Sequence, residues 1–251
     1  MIWSKVPFEQ LYKIPSKNGL NRPSRVRGNG YKMINMGELF ANDRISAIDM
    51  ERVQLNEREL ENMLVEPGDL LFARQSLVLS GAGKCSIVKA ADEPTTYESH
   101  LIRVRLNSEI ANSDFYRYYF KSPISPIKSI VTQGVQAGIR ATDLARLDVH
   151  VPPMTTQANI ADILTAYDDL IENNRRRIEL LEQSVRMLYK EWFVSLRFPG
   201  HEHVKVKDGM PLGWDVSTVA DVCNSFEDGD WIESKDQGGE DYRLLQQQAL
   251  R

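Results

Sequence analysis

The sequence predicts a mixed α/β domain, then a long coiled-coil α-helix, then the incomplete start of a second α/β domain. Three observations carry this. Short apolar runs and turn signals alternate through residues 1–153. From Thr155 to Leu196 there is neither glycine nor proline, and apolar residues recur in steps of four and three. Beyond Pro199 and Gly200 the opening residues are echoed: Trp214 and Tyr242 keep the 28-residue separation of Trp3 and Tyr31, at a constant offset of 211.

Each element follows in chain order. "DLLFARQ" (69–75) and "HLIRVRL" (100–106) read as short strands, the first entered through the turn "EPGD" (66–69). "SDFYRYYFKS" (113–122) reads as a helix with an aromatic face, Ser113 offering an N-cap. "ATDLARLDVHVPP" (141–153) runs from a short helix into a strand that Pro152-Pro153 stops. His100 and His150 fall inside strand patterns, as core or cross-strand partners.

The long helix places Ile160, Leu164, Tyr167, Ile171, Asn174, Ile178, Leu181, Val185, Leu188 and Trp192 on one seam. That is a heptad pattern sustained over more than four heptads, and about 40 residues make a rod of roughly 60 Å. Asn174 is the one polar member. It either fixes helix register or marks a short solvated break in the coil. Arg175, Arg176 and Arg177 cannot all face the seam, so at least two face solvent or a partner. Asp168 and Asp169 point about 100° apart on a helix, a poor acid/base pair and better read as solvated or partner-facing charges. Trp192-Phe193 is either a docking hot spot or the end of the coil core.

Composition bounds the rest. Of 251 residues, 42% are hydrophobic and 26% charged, so a sizeable core is available. No apolar run reaches membrane-spanning length, and the N-terminus lacks a secretory pattern. Two cysteines far apart in sequence point to a reducing compartment, and cytoplasm is the expectation. Net charge is −4, but residues 1–152 carry 20 Lys+Arg against 17 Asp+Glu, whereas residues 200–251 carry 5 against 11. "SGAGKCS" fails as a phosphate loop, because Val78 and Cys85 stand where Gly and Ser/Thr are needed. His201 and His203 have no further ligand at metal spacing. No cofactor and no catalytic constellation is expected.

Residues 149–200, "VHVPPMTTQANIADILTAYDDLIENNRRRIELLEQSVRMLYKEWFVSLRFPG", carry a resemblance. Pro152, Pro153, Gln157, Ile160, Ala161, Ile163, Leu164, Asp168, Asp169, Ile171, Asn174, Arg175, Leu188, Lys190, Trp192 and Phe193 match the pattern of type I restriction-modification specificity (S) subunits. "PGDLLFAR" (67–74) and "PLGWDV" (211–216) match it more weakly. The resemblance implies a target-recognition domain over 1–153, a conserved coiled-coil spacer helix over 154–198, and a linker with the truncated start of a second target-recognition domain over 199–251. It implies a non-catalytic reader of a bipartite double-stranded DNA site that docks methyltransferase (M) subunits, with restriction (R) subunits joining them. In that family two spacer helices pair antiparallel, and Asn174 would fix their register. A full S subunit is about twice as long. The expectation is therefore a homodimer through the spacer helix, completion by a second polypeptide, or an inactive fragment. The alternative reading is a coiled-coil interaction protein without DNA specificity.

Three polar, glycine-rich stretches are expected to be loops and to touch DNA. The first carries Lys17, Asn18, Asn21, Arg22, Arg25, Arg27, Asn29 and Lys32. It has basic residues and no acid across residues 16–32, which makes it the strongest phosphate-binding expectation. The second carries Arg74, Gln75, Ser76 and Lys84. The third carries Gln133, Gln136, Arg140 and Thr142, residue types suited to phosphates and base edges.

Overall fold

The computed structural model describes residues 3–134 and 136–225. The chain divides into two compact units, Met1–Ile178 and Glu179–Arg251.

The first unit holds thirteen strands among its described residues: β1 Ser4–Pro7, β2 Tyr12–Asn18, β3 Arg27–Ile34, β4 Arg44–Ile45, β5 Arg52–Val53, β6 Leu70–Ala73, β7 Gln75–Ser76, β8 Cys85–Val88, β9 Thr95–Tyr97, β10 Leu101–Leu106, β11 Thr132–Gln133, β12 Ala137–Gly138 and β13 Asp148–Val151. Helices α1 Met36–Ala41, α2 Glu57–Asn62, α3 Ser113–Lys121 and α4 Ala141–Ala145 lie between them, and α5 Met154–Tyr189 follows.

The central sheet runs β2-β10-β6-β8-β4. Its inner strands are buried on both faces, which is why "LLFA" and "LIRV" read as continuous apolar runs rather than alternating ones. Period-two geometry sends Leu70 and Phe72 to one face and Leu71 and Ala73 to the other. The first face packs on Phe115, Tyr116, Tyr119 and Phe120 of α3, with Phe8 among the aromatic rings. The second packs on Ile34, Leu39, Ile45, Met63 and Tyr97. Burial pushes the Tyr97 hydroxyl up to about 12 and the Cys85 thiol well above its usual range, so neither ionises near neutrality.

Two sequence expectations shift at this level. The α3 cap is Asn112, whose side chain accepts from Phe115 N at 2.9 Å, one residue before Ser113. The expected loop is confined to residues 19–26, which hold Asn21, Arg22 and Arg25 and a 3-10 turn at Ser24–Val26; β2 and β3 occupy the rest of residues 16–32. Gly28 and Gly30 form a bulge, with Arg27 and Tyr31 both opposite Val53. Gly30 has φ +104°, and a Cβ there would lie 2.4 Å from the Val53 carbonyl oxygen. Gly30 thus serves a close approach of strands and Gly28 only a positive φ, instead of a flexible turn.

The base of α5 is fastened to the α/β domain by buried polar contacts. Gln157 is fully buried; its Oε1 accepts Asn112 N at 2.8 Å, and its Nε2 donates to Pro152 O at 2.8 Å and Ile110 O at 3.2 Å. Three turns further on, Asp168 accepts from Arg117 Nη2 at 2.7 Å and from Tyr118 Oη at 2.7 Å. Asp169 pairs with Arg44. This corrects the reading of Asp168 as a solvated or partner-facing charge, for it turns into its own domain; Asp169 stays exposed, as expected, while reaching Arg44. Burial raises the Asp168 carboxyl, but the Tyr118 and Arg117 hydrogen bonds and the Arg117 charge outweigh it, leaving the group below the usual carboxylate range. Arg117 is itself fully buried, its guanidinium 3.8 Å over the Tyr118 ring.

The second unit continues α5 into a π-helical turn at Lys190–Val194. A hairpin of β14 Val206–Lys207 and β15 Met210–Pro211 follows. Asp208 and Gly209 form its two-residue turn, both with positive φ, as a type I′ turn requires. Trp214 stacks on Phe198 with ring centroids 5.3 Å apart, and the short helix α6 spans Val219–Val222. The predicted echo at 242–247, with Tyr242, lies outside the described residues.

Candidate nucleic-acid interface and helix seam

The first basic stretch is largely neutralised from within. Arg22 Nη2 donates to Glu59 Oε1 at 2.6 Å, and that bond leads the effects holding the Glu59 carboxyl below its usual range. Arg27 pairs with Glu51 and donates to Asn35 Oδ1 at 3.2 Å. Lys32 is buried, its Nζ 3.0 Å from Asp92 and 3.5 Å from Glu93. Lys17, Asn18, Arg25 and Asn29 are exposed, and Arg25 has no ion pair among the described residues. The matching acids arrive from residues 51–59 and 92–93, so a local charge count could not register them.

The second and third stretches instead converge on one small sheet, β11-β12-β7. Gln75 faces Gly138 and Ser76 faces Ala137 across β7 and β12, while Gln133 faces Ala137 across β11 and β12. Gly138 permits the approach: a Cβ there would sit 3.0 Å from the Arg74 carbonyl oxygen, which accepts Ile139 N. Gln75 and Gln136 share the walls of an open groove of about 360 Å³ with Met36, Phe40, Leu77 and His100. His100 departs from the strand expectation; it is an exposed turn residue 3.3 Å from Glu98. His150 meets the cross-strand expectation opposite Lys5, with Nδ1 3.1 Å from Tyr119 Oη.

The basic members differ in availability. Lys84 is committed, donating to Phe40 O at 2.7 Å and lying 3.8 Å from Asp43. Arg74 is half-buried, with one long contact of 3.4 Å to Ser99 O. Arg140 is exposed at the start of α4, and neither it nor exposed Lys128 has an ion pair among the described residues. Residues 70–91 and 121–142, which supply β7, β11 and β12, contain no acid of their own, and the acids that reach them from elsewhere, Asp43 and Glu98, lie beside Lys84 and His100. Paired donors, amides and unmatched cations make a surface that can meet a polyanion and read base edges. Among the described residues no group of three His, Cys, Asp or Glu side chains is placed to hold a metal, and no helix is long and apolar enough to cross a membrane.

Along α5, Ile160 packs partly into the domain core. Leu164, Tyr167, Ile171, Asn174 and Ile178 are exposed in the first unit. Leu181, Val185, Leu188 and Trp192 are exposed in the second. The exposed apolar surface is wider than the predicted seam. Ile163, Leu170, Leu180 and Met187 stand beside it. Ile163 and Leu170 share one further heptad position and Leu180 and Met187 another, so the apolar surface exceeds the two-position seam without forming a third unbroken row.

Comparison with known proteins agrees with this arrangement of domain and helix. Residues 3–183 match the family model described as the type I restriction modification DNA specificity domain. The chain is similar to the type I restriction enzyme EcoKI specificity subunit of Escherichia coli K12, 28% identical over 195 residues, covering 73% of this chain and 41% of that protein. It is similar to the MjaIX specificity subunit of Methanocaldococcus jannaschii, 24% identical over 176 residues, covering 68% and 41%. Among solved structures, the S subunit from M. genitalium aligns over 81% of this chain and 48% of its own, with TM-score 0.55 and 17% identity, a likeness of fold. The chain thus spans about two fifths of the length of these two curated relatives. A model matched from the first strand to well along the helix is decisive: this chain belongs to the type I restriction modification DNA specificity domain family.

Proposed function

We propose that this chain is a non-catalytic DNA-recognition component of a type I restriction-modification complex. In this reading residues 1–153 form the target-recognition domain, residues 154–198 the spacer helix, and residues 199–251 a linker with the start of a second recognition domain. The observation that carries it is the face around β7, β11 and β12, where Arg74, Gln75, Gln133, Gln136 and Arg140 come together and the nearby acids, Asp43 and Glu98, already lie beside Lys84 and His100. Phosphate contacts would come from the cations and base-edge contacts from the amides. Lys17, Asn18, Arg25 and Asn29 are a second, smaller group of available side chains. Arg22, Arg27, Lys32 and Lys84 serve mainly as internal partners.

The exposed α5 stripe calls for another helix. We infer antiparallel pairing with the α5 of a second copy, which sets two reading faces apart along one duplex, with M subunits bound to the pair and R subunits joining through them. The test is the methylation pattern of host DNA with and without this gene, its methyltransferase partner present. A gene-dependent palindromic bipartite motif supports two identical copies. An asymmetric motif means a different polypeptide supplies the second helix. Absence of any gene-dependent motif refutes the reading.

A further inference from the structure

We propose that the turn at Leu77–Leu79 is an apolar wedge that enters the DNA between two stacked base pairs. The proposal rests on the DNA-recognition reading. Leu77, Val78 and Leu79 are 85%, 59% and 56% exposed, three consecutive apolar side chains in water. The turn is nevertheless built. Val78 N donates to Ser76 Oγ at 3.2 Å, Gly81 N to Val78 O at 3.0 Å, and Lys84 N to Gly81 O at 3.2 Å. Gly81 closes it so tightly that a Cβ would fall 2.2 Å from Ser76 Oγ and 3.1 Å from the Phe40 ring. An ordered turn that holds three apolar side chains outward implies that something covers them when the protein works.

The surroundings select the occupant. The turn is continuous with Gln75 and the groove it shares with Gln136. Arg74, Lys128 and Arg140 have no ion pair among the described residues, while the acids that reach the area from elsewhere, Asp43 and Glu98, already lie beside Lys84 and His100, so the cations left over favour an anionic partner. A polyanion with apolar surface at a spacing a leucine can reach is a nucleic-acid duplex. Its phosphates meet the cations, its base edges meet the amides, and its stacked bases are the apolar part. Leucine cannot hydrogen-bond to a groove floor, but it can slip into a base step and replace stacking with its own contact. The amides beside it would then fix which step opens.

The test uses the full chain with its methyltransferase partner and duplexes carrying the gene-dependent motif. A fluorescent base analogue is placed at each position in turn to report unstacking. The expected result is a fluorescence rise at one step away from the methylated base. Leu77→Ser abolishes that rise and weakens motif binding roughly 10-fold, the equivalent of one leucine burial. Leu77→Phe, still able to wedge, keeps the rise and shows that the turn has not simply unfolded. Retention of the rise in Leu77→Ser, or no such step in the wild type, overturns the proposal. Normal unstacking with loss of the methyltransferase subunit on purification also overturns it and assigns the turn to a protein partner. If the wild type binds the motif no better than scrambled DNA, the DNA-recognition reading itself fails and the wedge falls with it.

Discussion

Replacing Asp168 by asparagine tests how α5 is fixed to its domain. The Arg117 side chain is 1% exposed, and only its Nη2 is hydrogen-bonded; Nε and Nη1 have no partner in the structure. Asp168→Asn therefore leaves a buried guanidinium with little more than the Tyr118 ring for compensation. Removing one member of a buried ion pair costs about 3–5 kcal/mol. Asp168 is 33% exposed, so water softens the loss, and about 2–3 kcal/mol is the expected cost. Urea unfolding followed by far-ultraviolet circular dichroism measures it. Arg117→Met with Asp168→Asn removes both charges, and the double variant should recover most of the loss, a coupling of roughly 2 kcal/mol. The acid limit gives a second reading of the same bond. The Asp168 carboxyl is depressed in the folded protein, so its contribution is complete above about pH 4, its unfolded value, and is lost as pH falls through the folded value. The gap between wild type and Asp168→Asn should close on acidification. A single-variant cost below ~1 kcal/mol, or additive singles, would refute a buried pair that clamps the helix.

Other consequences are checkable in the same way. Arg140→Gln and Lys128→Gln should each flatten the salt dependence of DNA binding by about one unit in log–log slope, whereas Arg22→Gln should leave the slope unchanged and shift the unfolding midpoint instead. Gln157→Ala strands Asn112 N and two carbonyl oxygens in the core and should cost about 2–4 kcal/mol in urea unfolding, with the domain's own secondary structure retained. Gly30→Ala combines a positive φ with a carbonyl oxygen 2.4 Å from the new methyl, so it should destabilise by ~2 kcal/mol or more, seen as a lowered Tm. Ile171→Glu in the exposed stripe should abolish self-association in light scattering while thermal unfolding of the α/β domain stays unchanged.

Much of the architecture was legible because its signals are local. The helix beginning at the Pro152-Pro153 stop, the buried strands "LLFA" and "LIRV", and the aromatic face of α3 are set by residues near one another in sequence. The proposed reading surface was only half legible. Its residue types were visible at 74–84 and 133–140, but their union depends on β7 pairing with β12 some 60 residues later. The internal pairing of the first basic stretch was hidden for the same reason. Glu51, Glu59, Asp92 and Glu93 neutralise Arg22, Arg27 and Lys32 through tertiary contacts that charge counting along the chain does not see. Gln157 was noticed as a family match without its role, because nothing in "TTQAN" says that its amide will be swallowed by the core.

The pairing of β1 with β13 puts Ser4 beside Val151 and Pro7 beside Asp148. The path into the α/β domain and the path out of it therefore run side by side, a few residues before the helix begins. Everything between could be exchanged for another domain of different preference, provided the new one offers a main-chain donor for Gln157 and a cation for Asp168. The fold is in this sense a socket: both ends of the inserted domain leave through one strand pair, so its contents can change while the frame that carries the helix stays as it is.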